Sequence, residues 1–345
     1  MNKLLQPTST VLTLLDFPSS KFSSIEEGLS ISCKFNRWGT LLAVGCRDGR
    51  IIIWDAETYS IAQVFTGHTH PVTSLTWSKC GRMLASSSVD RTVIVWDVKM
   101  GVPMITETFS TPAWNAEFFF YKGQNHILVS LTHEIPYVIT VDWDKRATVL
   151  RRILPINETI SEYINDGEGD GKKHTAPTQQ SQSQSQPVEE ESFEISTKTY
   201  APMMKIGRYT HASIIACYDK IRNRIFAGTS KGLLYVVGMD TWSVEAVKKV
   251  SSNMSCGVHS IAFSKKCELF LLNCGDKSIR VFDTAEVDSK NELLHHKMEL
   301  RDVVSKLSWR KCIFSPNSEY IVSGSWGSEE HCLCKYPNCL NNIHV

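Results

Sequence analysis

The stretches LLAVGCRDGRIIIWD at 41–55 and LASSSVDRTVIVWD at 84–97 decide the fold. In each, an Asp (Asp48, Asp90) precedes a Trp (Trp54, Trp96) by six residues, and a second Asp (Asp55, Asp97) follows directly. A third copy, LFLLNCGDKSIRVFD at 269–283, keeps the spacing with Asp276, Phe282 and Asp283. Trp54 and Trp96 stand 42 residues apart (96 − 54). Self-similarity at that period marks a repeat architecture whose units bury their faces on one another. The second unit reads as four short strands, VTSLTWS, MLASSS, TVIVWD and MITETF, with turns at Lys79-Cys80-Gly81, Val89-Asp90-Arg91 and Met100-Gly101. β-branched runs between turn residues suit an antiparallel sheet. A lone four-stranded sheet cannot bury both faces, so the units must stack.

The period, and Gly67-His68 ahead of the second unit, resemble the WD40 repeat. The expected fold class is therefore all-β, a WD40 β-propeller. The resemblance implies a hydrogen-bonded clasp of His68, one of Ser86, Ser87 or Ser88, Asp90 and Trp96. Asp48, Trp54, Asp55, Asp97, Asp276, Phe282 and Asp283 are assigned to the same clasp positions. Buried polar groups persist only when partnered, so such a chain pins strands together. His68 and Asp90 are also two parts of a catalytic triad, but no Gly-x-Ser-x-Gly elbow accompanies them. Without a phosphate-binding Gly loop or a metal-spaced His/Glu helix either, the expectation is a non-enzyme with no catalytic residues, cofactor, metal or small-molecule ligand.

Two units are worn. Residues 113–143 keep strand character without the Asp-to-Trp spacing, and residues 212–238 put Lys231 and Val237 in the Asp and Trp slots. Residues 155–207 are polar, acidic at both ends and Gln/Ser-rich between; that composition predicts a disordered inter-blade insertion, either merely tolerated or a partner-binding acidic segment. The expected organisation is an N-terminal segment (1–28), blades 1–3 (29–154), the insertion (155–207), blades 4–6 with the last partial (208–328) and a divergent tail (329–345). VLTLLDF at 11–17 reads as a strand of a closing blade.

Composition narrows the function. Hydrophobic residues are 42% of the 345, enough for a large core, and 37 Lys+Arg nearly cancel 36 Asp+Glu. No strong overall field therefore advertises nucleic acid or a membrane. No apolar run approaches the roughly 20 residues of a membrane span, and Pro7 and the Thr/Ser cluster break the N-terminal run, against a signal peptide. Eleven scattered Cys, among them Cys33, Cys46, Cys217, Cys274 and Cys312 in apolar runs, read as buried reduced thiols of a cytosolic or nuclear protein.

FNRWGTLLAVGCRDGRIIIWD at 35–55, HTHPVTSLTWSKCGRMLASSSVD at 68–90 and WRKCIFSPNSEYIVSGS at 309–325 resemble the retinoblastoma-binding protein five family of COMPASS-type complexes. The Phe35–Gly39 turn and the Trp309–Cys312 run are not general to WD40 repeats. The resemblance covers about residues 29–154 and 208–328. It implies a nuclear, non-catalytic scaffold, seven-bladed in the family and with about five to six blades here. The implied partners are a SET-domain methyltransferase, a second WD40 subunit, a SPRY-domain subunit and a small dimeric helical subunit, which together methylate lysine four of histone H3. It further implies weak nucleosomal DNA contact through Lys277 and Lys306, with Gly327 where another basic residue is expected.

After Ser325 the family pattern ends, and WGSEEHCLCKYPNCLNNIHV reads as a truncated, spliced or out-of-frame tail. His331, Cys332, Cys334, Cys339 and His344 do not have zinc-knuckle spacing. The competing functions are a generic WD40 adapter and a truncated isoform unable to assemble.

Overall fold

Alternating side chains on strands with both faces covered should give near-continuous apolar runs, as in IIIWD and TVIVWD. The computed structural model describes residues 27–156, 214–252, 256–301, 308–326 and 333–337. Within them lie five four-stranded antiparallel sheets and one of three strands. The first holds β1–β4 (Ser30–Phe35, Leu41–Cys46, Ile51–Asp55, Ile61–Phe65) and the second β5–β8 (Val72–Trp77, Met83–Ser88, Thr92–Asp97, Val102–Thr108). The third holds β9–β12 (Ala113–Tyr121, Gln124–Leu131, Tyr137–Asp142, Ala147–Ile153) and the fourth β13–β16 (Ile214–Asp219, Arg224–Thr229, Leu233–Gly238, Ser243–Lys249). β17–β20 (Val258–Phe263, Leu269–Cys274, Ser278–Asp283, Met298–Arg301) form the fifth, and β21–β23 (Ser308–Phe314, Tyr320–Trp326, Leu333–Pro337) the sixth. In every sheet the strands neighbour one another in chain order, as a meander of short turns requires. Both worn units are thus four-stranded sheets.

The chain divides into two compact units, one holding the first two sheets and nearly all of the third, the other holding β14–β23. In the first unit, period two sends alternate residues of β6 and β7 to opposite faces. Leu84, Ile94 and Trp96 pack with Ala43, Ile51, Ile53 and Phe65 of the first sheet. Met83, Ala85, Val93 and Val95 pack with Ile127, Val129 and Ile139 of the third. Hydroxyls on the first strand of one sheet bond the backbone of the next: Ser32 Oγ donates to the Val72 carbonyl (3.0 Å) and Thr73 Oγ1 to the Ala113 carbonyl (2.7 Å). Ser74 Oγ accepts from the Ala116 N–H (2.9 Å). Gly45 lies where β2 meets β5; a Cβ there would stand 2.6 Å from Ser32 Oγ and 2.7 Å from Val72.

The Phe35–Gly39 turn has its own logic. Asn36 Oδ1 accepts from the N–H groups of Thr40 (3.0 Å) and Leu41 (3.3 Å), fixing the turn between β1 and β2. That turn delivers the Trp38 ring onto Gly81, whose φ of 65° and missing Cβ let the ring close. In the second unit, Leu271, Ile279 and Val281 pack with Trp309, Cys312 and Ile321 of the sixth sheet.

Three expectations are revised. β8 starts at Val102, ahead of the predicted MITETF, because Pro103 sits at a bulge on an outer strand, where no ladder N–H is required. Cys33 is exposed, since β1 is an edge strand with little of its length covered, and Cys217 is half-buried. Leu333–Pro337, within the stretch read as a divergent tail, pairs antiparallel with β22 from Tyr320↔Pro337 to Gly324↔Leu333. VLTLLDF at 11–17 and the 155–207 insertion, save Pro155 and Ile156, lie outside the described residues.

Candidate functional site

A dense polar group of the first unit is built on the second sheet. β6 supplies Ser86, the β6–β7 turn Asp90, β7 Trp96, and the segment entering β5 supplies His68. Trp96 Nε1 donates to Ser86 Oγ at 2.8 Å. Ser86 Oγ lies 2.7 Å from His68 Nε2, and His68 Nδ1 lies 2.9 Å from Asp90 Oδ2. Asp90 also accepts from Thr69 N–H (3.0 Å), Thr92 N–H (2.9 Å) and Thr92 Oγ1 (2.6 Å). Burial pushes the His68 imidazole below its ordinary value. A neutral ring that donates from Nδ1 to Asp90 and accepts at Nε2 from Ser86 aligns every donor in one direction, Trp to Ser to His to Asp. Burial opposes ionisation of Asp90; the Thr92 hydroxyl, His68 and the Thr69 N–H outweigh it and hold the carboxyl below the usual carboxylate range.

These are also the distances of a hydrolytic Ser-His-Asp triad. What separates them from one is access. Ser86 has 0% exposure and the His68 side chain has 0%. The Trp96 N–H already occupies a lone pair of the would-be nucleophile. A hydroxyl sealed inside a sheet cannot reach the acyl group a hydrolase would cleave, so the arrangement ties three strands and the entering loop together.

Sequence reasoning grouped more residues into the clasp than the structure brings together. Asp48 lies 2.7 Å from Arg50 Nε and accepts from the Arg50 N–H, leaving Trp54 with the apolar cluster of β2 and β3; no His precedes that sheet to bridge them. Phe282 carries no ring donor and stacks on Phe270 at 5.2 Å, while Asp276 binds Arg280 at 2.5 Å and Ser278 Oγ at 2.6 Å. Asp55, Asp97 and Asp283 act elsewhere. Each accepts backbone N–H groups of the following turn: Glu57 and Thr58, Lys99 and Met100, and Ala285. A short carboxylate directly after the aromatic is placed to satisfy the donors of the β3–β4 type of turn. Asp142, missed at first, caps Asp144 and Lys145 in the same way, and the VDW at 141–143 was its signal.

The worn sheets have substitutes. In the third, His126 Nδ1 meets Thr140 Oγ1 at 3.0 Å and its ring stacks on Phe119 at 5.0 Å. In the fourth, Thr229 Oγ1 accepts the Leu233 N–H at 3.1 Å, replacing the absent Asp at Lys231. The fifth holds Cys256, Cys274, Asp276 and Arg280. Among the described residues, the first three place their potential ligand atoms within 4.8 Å of one another. Arg280 Nη1 lies 2.7 Å from Cys256 Sγ, so a cation already bridges this group. Sequence reasoning missed Arg280, although a charge in the slot that Ile94 fills in the second unit was the signal. Lys277 stands exposed in the β18–β19 turn with φ 65°. Lys306 lies outside the described residues.

Stacked antiparallel meanders carrying these turns and this clasp define an all-β WD40 β-propeller protein. The WD domain, G-beta repeat family model matches residues 25–55 and 59–97. The β-propeller domain of Myceliophteria thermophila Cps50 (Swd1) aligns with a TM-score of 0.68 at 23% identity, over 90% of this chain and 84% of that one. The chain is similar to the retinoblastoma-binding protein 5 and Swd1 proteins. The Retinoblastoma-binding protein 5 homolog of Drosophila melanogaster is 30% identical over 91% of this chain. The Set1 complex component swd1 of Schizosaccharomyces pombe and the COMPASS component SWD1 of Saccharomyces cerevisiae are each 26% identical, over 94% and 96% of it. The chain spans 53% of the Drosophila protein and 68% of each yeast protein.

Proposed function

We propose that this chain is a non-catalytic scaffold subunit of a nuclear Set1/COMPASS-type complex that methylates lysine four of histone H3. The carrying observation is homology over nine-tenths of the chain to proteins named as components of Set1 and COMPASS complexes. The sealed Ser86-His68-Asp90 set supports a non-catalytic role, because this arrangement, which has hydrolase geometry, is inaccessible. Its partners would be a SET-domain methyltransferase, a second WD40 subunit, a SPRY-domain subunit and a small dimeric helical subunit. Such a scaffold acts by raising effective concentration and orienting enzyme and substrate, without adding chemistry.

Lys277 would contribute weak, sequence-blind contact with nucleosomal DNA, together with Lys306. Its exposure and its place at the tip of a tight turn suit a phosphate contact. The test is purification of the tagged chain from cells, followed by methylation of nucleosomes by the recovered complex. Recovery of a SET-domain methyltransferase is expected. Ubiquitin-ligase or vesicle-coat subunits in its place would overturn the proposal in favour of a generic adapter.

A further inference from the structure

In the second sheet a histidine ties the entering loop to the turn Asp; in the fifth, that place is taken by sulfur and a guanidinium. Cys256 precedes β17, Cys274 ends β18, and both are buried. Their sulfurs belong to the group within 4.8 Å. Gly275 N–H donates to the Gly257 carbonyl at 2.6 Å, which holds the two cysteine-bearing segments side by side. Arg280 Nη1 sits 2.7 Å from Cys256 Sγ, and its Nη2 is held by Asp276 at 2.5 Å and Glu299 at 3.0 Å. We propose that Cys256 and Cys274 are a peroxide-responsive thiol pair that closes into an intrachain disulfide, with Cys256 as the attacking sulfur and Cys274 as the resolving one.

The roles follow from the surroundings. The hydrogen bond from Cys274 lowers the Cys256 thiol against its burial, and Arg280 adds to that. Cys274 is pushed far above the ordinary thiol range by the same hydrogen bond and by burial, so it keeps its proton. Thiolate character governs attack on peroxide, and a guanidinium beside the sulfur supplies it. Cys46 holds the same place before Asp48 that Cys274 holds before Asp276, without appearing in any comparable thiol cluster among the described residues. Cys312 is pushed up to about 12 by burial alone. Burial pushes the thiols of both Cys46 and Cys312 up, opposite to Cys256, so these two serve as references. The positive charge already seated on Cys256 and Asp276 disfavours a metal ion at the same atoms.

In the first step the Cys256 thiolate attacks one oxygen of hydrogen peroxide; the O–O bond breaks, giving the sulfenic acid and a hydroxide that takes a proton from solvent. In the second the Cys274 sulfur attacks the sulfenic sulfur, and its proton leaves with the hydroxyl as water. Two thiols are oxidised by two electrons and one peroxide is reduced to two waters. The disulfide replaces the guanidinium bridge with a covalent one.

The test uses the reduced full chain, stoichiometric hydrogen peroxide, alkylation of remaining thiols and peptide mapping. Trypsin places Cys256 in 250–265 and Cys274 with Cys267 in 267–277, so fragmentation must assign the link. The expected product is a dithiothreitol-reversible Cys256–Cys274 cross-link, with Cys46 and Cys312 still alkylated. Arg280→Met should slow its formation at pH 7 by roughly tenfold, because the sulfur loses the guanidinium that favours its thiolate. The wild-type map decides even if that variant misfolds. Equal alkylation of Cys256, Cys274 and Cys312 after peroxide would overturn the proposal. So would a Cys256 link to any other cysteine, or protection of the pair by zinc that a chelator lifts.

Discussion

Ser86→Ala is the sharpest probe of the second sheet. Ser86 Oγ is the hub of the clasp, accepting from Trp96 Nε1 and bonding His68 Nε2. Removing it strands one donor and one acceptor where water has no entry, since Trp96 is 1% exposed and the His68 side chain 0%. Each stranded group costs about 1–3 kcal/mol, so the substitution should destabilise the sheet by roughly 2–6 kcal/mol. Trp96→Phe removes the stranded donor in advance. On that background Ser86→Ala orphans only His68 Nε2, so its effect should shrink by about 1–3 kcal/mol. Because stacked sheets need not unfold together, a single global midpoint is a poor readout. Hydrogen exchange of the β6–β7 amides, with the β18–β19 amides as internal reference, isolates the local term. A loss of 3 kcal/mol corresponds to roughly 100-fold faster exchange in the second sheet. Strict additivity of the two substitutions, or a Ser86→Ala effect below about 0.5 kcal/mol, would show that the hydroxyl is not the hub.

Acid should loosen the same sheet in two stages. Burial keeps His68 below its ordinary value, so the unfolded chain takes up that proton first. The stability of the neutral ring is fully present above about pH 6.5 and is lost as pH falls towards the folded value. Asp90, held below the usual carboxylate range, contributes stability present above about pH 3.9 and lost further into acid. Exchange rates corrected for intrinsic pH dependence should show the first stage in wild type and lose it in His68→Asn. Gly81→Ala should destabilise by about 1–3 kcal/mol, since a Cβ would meet the Trp38 ring at a φ of 65°; urea melts of this variant and of Trp38→Ala would measure it. If the ring is the obstacle, Gly81→Ala must cost less once Trp38 is gone. Lys277→Glu should weaken nucleosomal DNA binding without sequence preference and lower the salt slope by about one, read by titration at several salt concentrations.

How much of this was legible depends on which side chains carry the information. The Asp-to-aromatic spacing made sheets one, two and five readable, because the β-turn needs an acceptor at a fixed offset from a buried ring. Sheets three and four had to be read from length and alternation, since the third relies on a His126–Thr140 pair inside its strands and in the fourth the Thr229 hydroxyl does the work of the Asp. Asp55, Asp97 and Asp283 were assigned to the wrong network for a related reason. Sequence spacing fixes their place after the aromatic but not the direction of their side chains, and strand alternation turns them to the following loop. Among Ser86, Ser87 and Ser88, only register separates the hub. Ser87 faces Thr73 and Ser74, and Ser88 donates to the His70 carbonyl. The cysteine cluster was invisible because Cys256 and Cys274 are close only through the β17–β18 pairing.

The comparison between the second and fifth sheets shows what the repeat demands. Both need a tie between the entering loop and the β-turn, and each buries polar groups to make it. In the second sheet a neutral chain of single hydrogen bonds suffices, because each of Trp96, Ser86 and His68 hands one proton onward and Asp90 ends the chain with several donors. In the fifth, loss of the ring N–H at Phe282 removes the first link, and Arg280 answers with a charge that must be neutralised on every side. Asp276, Glu299 and Cys256 do so. A buried guanidinium without those partners would be strongly destabilising. The substitution of Phe for Trp and the gain of an arginine with its anionic partners are therefore one change and not two. Restoring Trp at 282 alone should not recover a second-sheet clasp, because Leu272 holds the register position of Ser86 and offers no hydroxyl to receive its proton.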